Sequence, residues 1–173
     1  MVALIQGGVP EPGGIWTELG AGSGNFTVAL AQLLGPGAEI TAVDRDARAI
    51  DRQRDLAQQQ PFGVAIHPVE ADFTRPLRLP PLDGLLVANA LHFIRDQPAL
   101  LAQIATYLRP AGRLLVVEYE LQAPLRYVPY PVPFARLAEL APMAGFGAPQ
   151  LVGTRRSPST GITLYAAAAP RSG

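Results

Sequence analysis

Three glycines at alternate positions, Gly20, Gly22 and Gly24, sit inside the stretch Glu18-Leu19-Gly20-Ala21-Gly22-Ser23-Gly24-Asn25-Phe26-Thr27. An apolar run, Gly14-Ile15-Trp16-Thr17, leads into them, and an amphipathic segment from Phe26 to Leu34 leads out. Strand, glycine turn and helix in that order describe a nucleotide-type ligand site at the carboxyl end of the first strand of an α/β sheet. Glycine suits such a turn because backbone approaches a ligand with no Cβ in the way, and φ > 0 carries no penalty. The competing reading is a turn that only joins a strand to a helix.

The spacing separates two ligand classes. A dinucleotide site asks for Gly-x-Gly-x-x-Gly, with a pyrophosphate on the helix N-terminus. Here the third glycine comes one residue early, and Asn25 stands where that fingerprint expects glycine or alanine. An acidic residue, Glu18, precedes the first glycine by two. The pattern Glu-x-Gly-x-Gly-x-Gly resembles motif I of the class I S-adenosylmethionine-dependent methyltransferases, whose ligand has no phosphate.

The rest of the chain alternates apolar runs with helical patterns, which predicts a mostly parallel sheet covered on both faces. Strands are expected near Ile15–Leu19, Glu39–Val43, Val64–Val69, Gly84–Ala88 and Arg113–Tyr119. A charged helix is expected from about Asp46 to Gln59, its Asp and Arg residues reading as a solvated face. Asp96 and Pro98 mark the start of another helix, with Leu100, Leu101, Ile104 and Leu108 as its buried stripe. Residues Gln122–Pro133 hold four prolines and two tyrosines and read as an ordered loop, followed by a helix around Phe134–Ala144. Gln150–Thr154 and Ile162–Ala168 flank Ser157-Pro158-Ser159-Thr160-Gly161 and predict an antiparallel terminal hairpin. The expected fold is α/β: a Rossmann-like, doubly wound, mostly parallel seven-stranded sheet of five βα units and that hairpin, with residues 1–173 as one methyltransferase domain.

Composition removes several chemistries. Fourteen basic and fourteen acidic residues leave a formal net charge of zero, so no basic field exists to collect nucleic acid. Every basic residue is Arg, which excludes a lysine Schiff base or P-loop lysine. Cysteine is absent, and the two histidines, His67 and His92, are too few for a zinc site without several carboxylates. No run is long and apolar enough for a membrane span, and Met1-Val2-Ala3-Leu4-Ile5 lacks the marks of a signal peptide. A cytoplasmic protein is expected.

Asp44, Asp72 and Asn89 each close a successive strand, so the resemblance to the class I methyltransferases extends along most of the chain. It implies that S-adenosyl-L-methionine is the cofactor and S-adenosyl-L-homocysteine the product. Glu18 is a cofactor-binding candidate, the backbone of Gly20, Ala21 and Gly22 matches the positions that hold the methionine moiety, and Asp44 matches the acidic residue on the ribose hydroxyls. Arg45 would lie beside the adenine, Asp72 would accept from the adenine amino group, and the N–H of Phe73 would reach a ring nitrogen. Asn89 would touch the methionine end or the acceptor. The plainer alternatives are a helix cap for Asp44 and an Asx-turn for Asp72.

His92 is the candidate general base, since imidazole takes a proton near neutral pH; packing is its other reading. His67 reads as structural. Acceptor recognition is expected from Met1–Gly14, the loop after Asn89 and the segment through Phe134, with Tyr119, Tyr127, Tyr130 and His92 as acceptor-binding candidates and Arg126 facing an acidic group. The aromatics could equally pack that segment onto the sheet. The expected partner is a small-molecule acceptor, with a homodimer as one way to close its site. The alternatives are an RNA or DNA methyltransferase, a non-catalytic cofactor-binding subunit, and a nicotinamide dehydrogenase. The glycine segment also resembles that of ribosomal RNA adenine dimethylases. Those enzymes carry an Asn-x-Pro-Tyr type motif where this chain has Asn89-Ala90-Leu91-His92.

Overall fold

The computed structural model describes residues 1–173. Seven strands form one sheet: β1 (Ile15–Leu19), β2 (Glu39–Asp44), β3 (Ala65–Glu70), β4 (Leu82–Ala88), β5 (Leu108–Tyr119), β6 (Gln150–Arg156) and β7 (Thr163–Pro170). Their spatial order is β3-β2-β1-β4-β5-β7-β6. The first five pair in parallel, while β7 pairs antiparallel with both β5 and β6. The strand order reverses between β1 and β4, and a crevice opens at that switch point beyond the carboxyl ends.

Alternation along each buried strand divides the interior into two cores. Leu85, Val87, Leu114 and Val116 face one side, with Leu100, Leu101 and Ile104 of α4 (Gln97–Tyr107) and Leu137, Leu140 and Ala141 of α5 (Phe134–Met143). Leu86, Ala88, Leu115 and Val117 face the other, with Phe26, Leu30 and Leu34 of α2 (Asn25–Leu34) and Leu4 and Ile5 of α1 (Val2–Ile5). Continuous apolar strands of this kind fit a sheet buried on both faces. Helix starts follow local chemistry. Asp46 accepts from the Arg48 N–H at 3.0 Å to begin α3 (Ala47–Gln59), and Asp96 accepts from the Ala99 N–H at 3.1 Å to begin α4.

Three expectations need correction. No helix joins β3 to β4, so one of the five βα units is missing; Pro76, Pro80 and Pro81 in residues 71–81 remove helical N–H donors. β5 begins at Leu108, five residues early, because Leu108 pairs with Leu82 before a register shift that carries Ala111 at φ 65°. The N-terminal segment is a core element: Leu4 and Ile5 are buried, and Gly7 and Gly8 pack against Val152 and Leu115.

Candidate functional site

The glycine turn is built by contacts that differ from one glycine to the next. Gly20, at φ 75°, leaves room for Ala90; a Cβ there would lie 2.7 Å from the Ala90 Cβ. Gly24, at φ 86°, leaves room for α3; a Cβ would lie 2.6 Å from Leu56 Cδ1 and 3.0 Å from Gln53 Nε2. Only Gly22, at φ 51°, has open space at its α-carbon, with no heavy atom nearer than 3.9 Å. The alternate-glycine pattern therefore serves packing at two positions and leaves open space at the third.

The turn is fastened by β2. The N–H groups of Gly20 and Ala21 donate to the Val43 carbonyl at 2.8 and 3.0 Å. Asp44 Oδ2 accepts from the Gly22 N–H at 2.8 Å, and its Oδ1 accepts from the Asp46 N–H at 2.9 Å. Helix capping falls to Asp46, so the capping alternative for Asp44 is overturned. Each Asp44 oxygen keeps a second lone pair for a further donor.

A cavity of about 550 Å³ opens at the carboxyl ends of β1 to β4. Gly20, Gly22, Asp44, Arg45, Asp72, Phe73 and Asn89 line it, together with Thr74, Ala90, Phe93 and Ile94. Asp72 makes the Asx-turn that its bland reading anticipates, accepting at Oδ1 from the N–H and hydroxyl of Thr74 at 3.0 and 2.7 Å. Those two bonds hold its carboxyl below the usual carboxylate range. Asn89 sits at φ 51°, its N–H donating to the Val117 carbonyl at 2.8 Å, and its buried Oδ1 has no donor. Gly22 and Asn89 both line the cavity, Gly22 with open space at its α-carbon.

Two of the residues expected to hold the cofactor lie outside this lining. Ala21 is buried, and Glu18 is 1% exposed with Oε2 accepting from the Thr27 hydroxyl at 2.5 Å. Burial raises the Glu18 carboxyl to about 8, with Thr27 opposing and Asp44 adding to the rise.

A second cluster stands beside the cavity. His92 is 2% exposed and does not line the cavity; Phe93, its neighbour, does. Glu118 holds His92 twice, accepting from its backbone N–H at 3.1 Å and meeting Nδ1 at 2.7 Å. The His92 ring centroid lies 4.2 Å from that of Phe93 and 5.9 Å from that of Tyr119, and Tyr119 meets Tyr127 edge-on at 6.3 Å. Tyr127 and Tyr130 are exposed, and Arg126 is exposed on the same segment. The Tyr130 N–H donates to the His92 carbonyl at 3.0 Å, and Gln97 Nε2 donates to the Tyr130 carbonyl at 2.9 Å. Tyr119 flanks the imidazole, Tyr127 stacks edge-on behind Tyr119, none of the three tyrosines lines the cavity, and the Pro/Tyr segment is pinned as an ordered loop.

Sequence reading missed Glu118 and Gln53. Glu118 closes an apolar strand in which one carboxylate is the out-of-pattern residue, and that was the signal available. Residues Pro10–Gly14 line a different cavity of about 540 Å³ with Trp16, Asp83 and Arg109–Arg113. It lies at the amino ends of the strands, so this part of the N-terminal segment is remote from the rim that carries His92. Asp83 is committed there to the Ile15 N–H at 2.8 Å and to Arg109 at 2.6 Å. No helix is long and apolar enough to cross a membrane.

The family described as a methyltransferase domain matches residues 17–114. A ubiquinone/menaquinone biosynthesis C-methyltransferase, UbiE, of Hahella chejuensis is 28% identical over 104 residues, which are 59% of this chain and 41% of that protein. The chain thus spans about two fifths of that relative's length. Among solved structures, the 1,6-didemethyltoxoflavin-N1-methyltransferase of Burkholderia thailandensis, with 1,6-didemethyltoxoflavin and S-adenosylhomocysteine bound, has a TM-score of 0.74 at 24% identity. The match covers 99% of this chain and 76% of that one. The [4+2]-cyclase SpnF has a TM-score of 0.76 at 14% identity, covering 98% and 79%. These two likenesses establish the fold, which the second shows is shared with a protein named for another reaction.

Proposed function

The chain belongs to this methyltransferase family, and from that premise we propose that it transfers a methyl group from S-adenosylmethionine to a small-molecule acceptor. The observation that carries the reading is the cavity at the switch point, where Gly22, Asp44, Asp72 and Asn89 converge from four strand ends. The residues present fit the cofactor. The open α-carbon of Gly22 suits close approach of the methionine end, with Asn89 beside it in the lining. Asp44 keeps acceptor capacity for the ribose hydroxyls, and charge-assisted bonds of that kind are the strong ones. Asp72 and Phe73 flank the adenine end, with Arg45 alongside. Glu18 supports the turn from beneath through Thr27, and Ala21 contributes backbone.

When bound, the cofactor supplies an already activated methyl group on a sulfonium. The chain's residues then have to orient the acceptor in line and exclude water, and orientation of this kind is worth about 7–11 kcal/mol. Phe93, Tyr119, Tyr127 and Tyr130 supply the aromatic surface for the acceptor, and Arg126 a charge at its edge. His92 is the candidate base where the acceptor must lose a proton; it is buried behind Phe93, so that role requires the Phe93 ring to move aside. Glu118 occupies Nδ1, which leaves Nε2 as the basic nitrogen and stabilises the imidazolium that forms. Residues 1–173 act as one domain in this reading.

Calorimetry tests the reading directly. S-adenosylmethionine and S-adenosylhomocysteine should bind well below millimolar concentration, and NAD at least tenfold more weakly. The reverse order removes the proposal.

A further inference from the structure

Gln53 is the polar residue of α3 that water does not reach. Asp51, Arg52, Arg54 and Asp55 around it are exposed, whereas Gln53 is 0% exposed. Its Nε2 donates to the carbonyls of Ala21 and Gly22, both at 3.3 Å, and its Oε1 is buried with no donor. An unpaired buried oxygen costs stability, so an apolar side chain of the same size would serve packing better. The amide is accounted for by the two carbonyls it faces. With Asp44 on its N–H and Gln53 on its carbonyl, Gly22 has both backbone groups fixed, the carbonyl from outside the cavity. Gly24 completes the joint, since its missing Cβ is what lets Gln53 and Leu56 approach the turn.

We propose that Gln53 is a positioning residue that presets the Gly20–Gly22 turn for the cofactor from behind. It rests on the cofactor reading above. Gln53 does not line the cavity. It acts by ordering the turn before binding, so that the ligand does not bear that ordering cost. Its removal therefore weakens cofactor binding and leaves acceptor binding and the chemical step alone.

The test is titration calorimetry of S-adenosylhomocysteine on wild type, Gln53→Leu and Gln53→Met, with amide hydrogen exchange of residues 20–24 on each. Wild type should bind, the variants should bind about tenfold more weakly, and the Gly22 amide should exchange faster in both. With a working acceptor, the cofactor KM should rise while kcat and the acceptor KM hold. A folded variant with wild-type affinity overturns the positioning role, as does a fall in kcat at unchanged cofactor affinity. Gln53→Met gives a second readout if Gln53→Leu does not fold. Wild type that fails to bind S-adenosylhomocysteine overturns the cofactor reading itself, and is seen before any variant is compared.

Discussion

The carboxyl rim of the sheet has two unlike halves. Over β1 to β4 the cavity is built from strand-end residues and backbone: Gly22, Asp44, Asp72 and Asn89 each follow an apolar run by a residue or two. Over β5 the wall is built from side chains that meet across the fold: His92 with Glu118, 26 residues apart, and the aromatic chain through Tyr119 and Tyr127. The first half is open and polar. The second is closed, with its one imidazole 2% exposed behind Phe93. A scaffold can thus keep one half constant for a shared ligand and vary the other for the acceptor.

Substitutions that separate the halves should do so in kinetics. The largest effect is expected at His92. His92→Ala should lower kcat by about 10²–10⁴-fold with cofactor affinity unchanged, as loss of a general base does. Calorimetry and steady-state rates check this together, and full activity would reduce His92 to a packing residue. Glu118→Gln should retain the fold and lower kcat less, since the ring loses the carboxylate that holds Nδ1.

Asp44→Ala should weaken S-adenosylhomocysteine binding by about 10–100-fold, the range for losing charge-assisted hydrogen bonds. Unchanged affinity would place the ribose elsewhere and dissolve the contrast between the halves. A third effect belongs to the same half but is read in stability. Folded Glu18 keeps its proton to about pH 8, against an ordinary 4.5. Between those values the folded chain binds more protons than the unfolded chain. Stability therefore falls with rising pH across this window, by up to about 1.4 kcal/mol per unit, and levels off above it. Urea midpoints from pH 5 to 9 should show this slope, and Glu18→Gln should flatten it. The smallest effect is expected at the exposed rim: Tyr127→Ala should raise the acceptor KM less than about tenfold and leave the cofactor KM alone.

The same division explains what could be read from residue order. The strand ends, the glycine turn, the Asp96 cap and the terminal hairpin depend on neighbours within a few positions, so Asp44, Asp72 and Asn89 were legible. Glu118 and Gln53 were not, because their partners lie 26 and about 30 residues away and nothing local marks the pairing. Gln53 was hidden further by its setting, since charges on both sides made the whole helix read as solvated. Gly24 misled in another way. Its type follows from α3 pressing on the turn, a cause that sequence spacing alone assigns to the ligand. Met1–Gly14 gave no hint of burial in its polar, Gly- and Pro-rich second half, and Leu4 and Ile5 reached the core through tertiary contact alone.

Tyr130 is stitched on one side to the His92 carbonyl and on the other to Gln97 at the head of α4. That double attachment has a kinetic corollary. A shutter hung from the frame of the neighbouring window cannot swing by itself, so any opening of the Tyr130 loop would carry the His92 loop and the head of α4 with it. Where that motion is slower than chemistry, acceptors of very different reactivity would turn over at the same maximal rate.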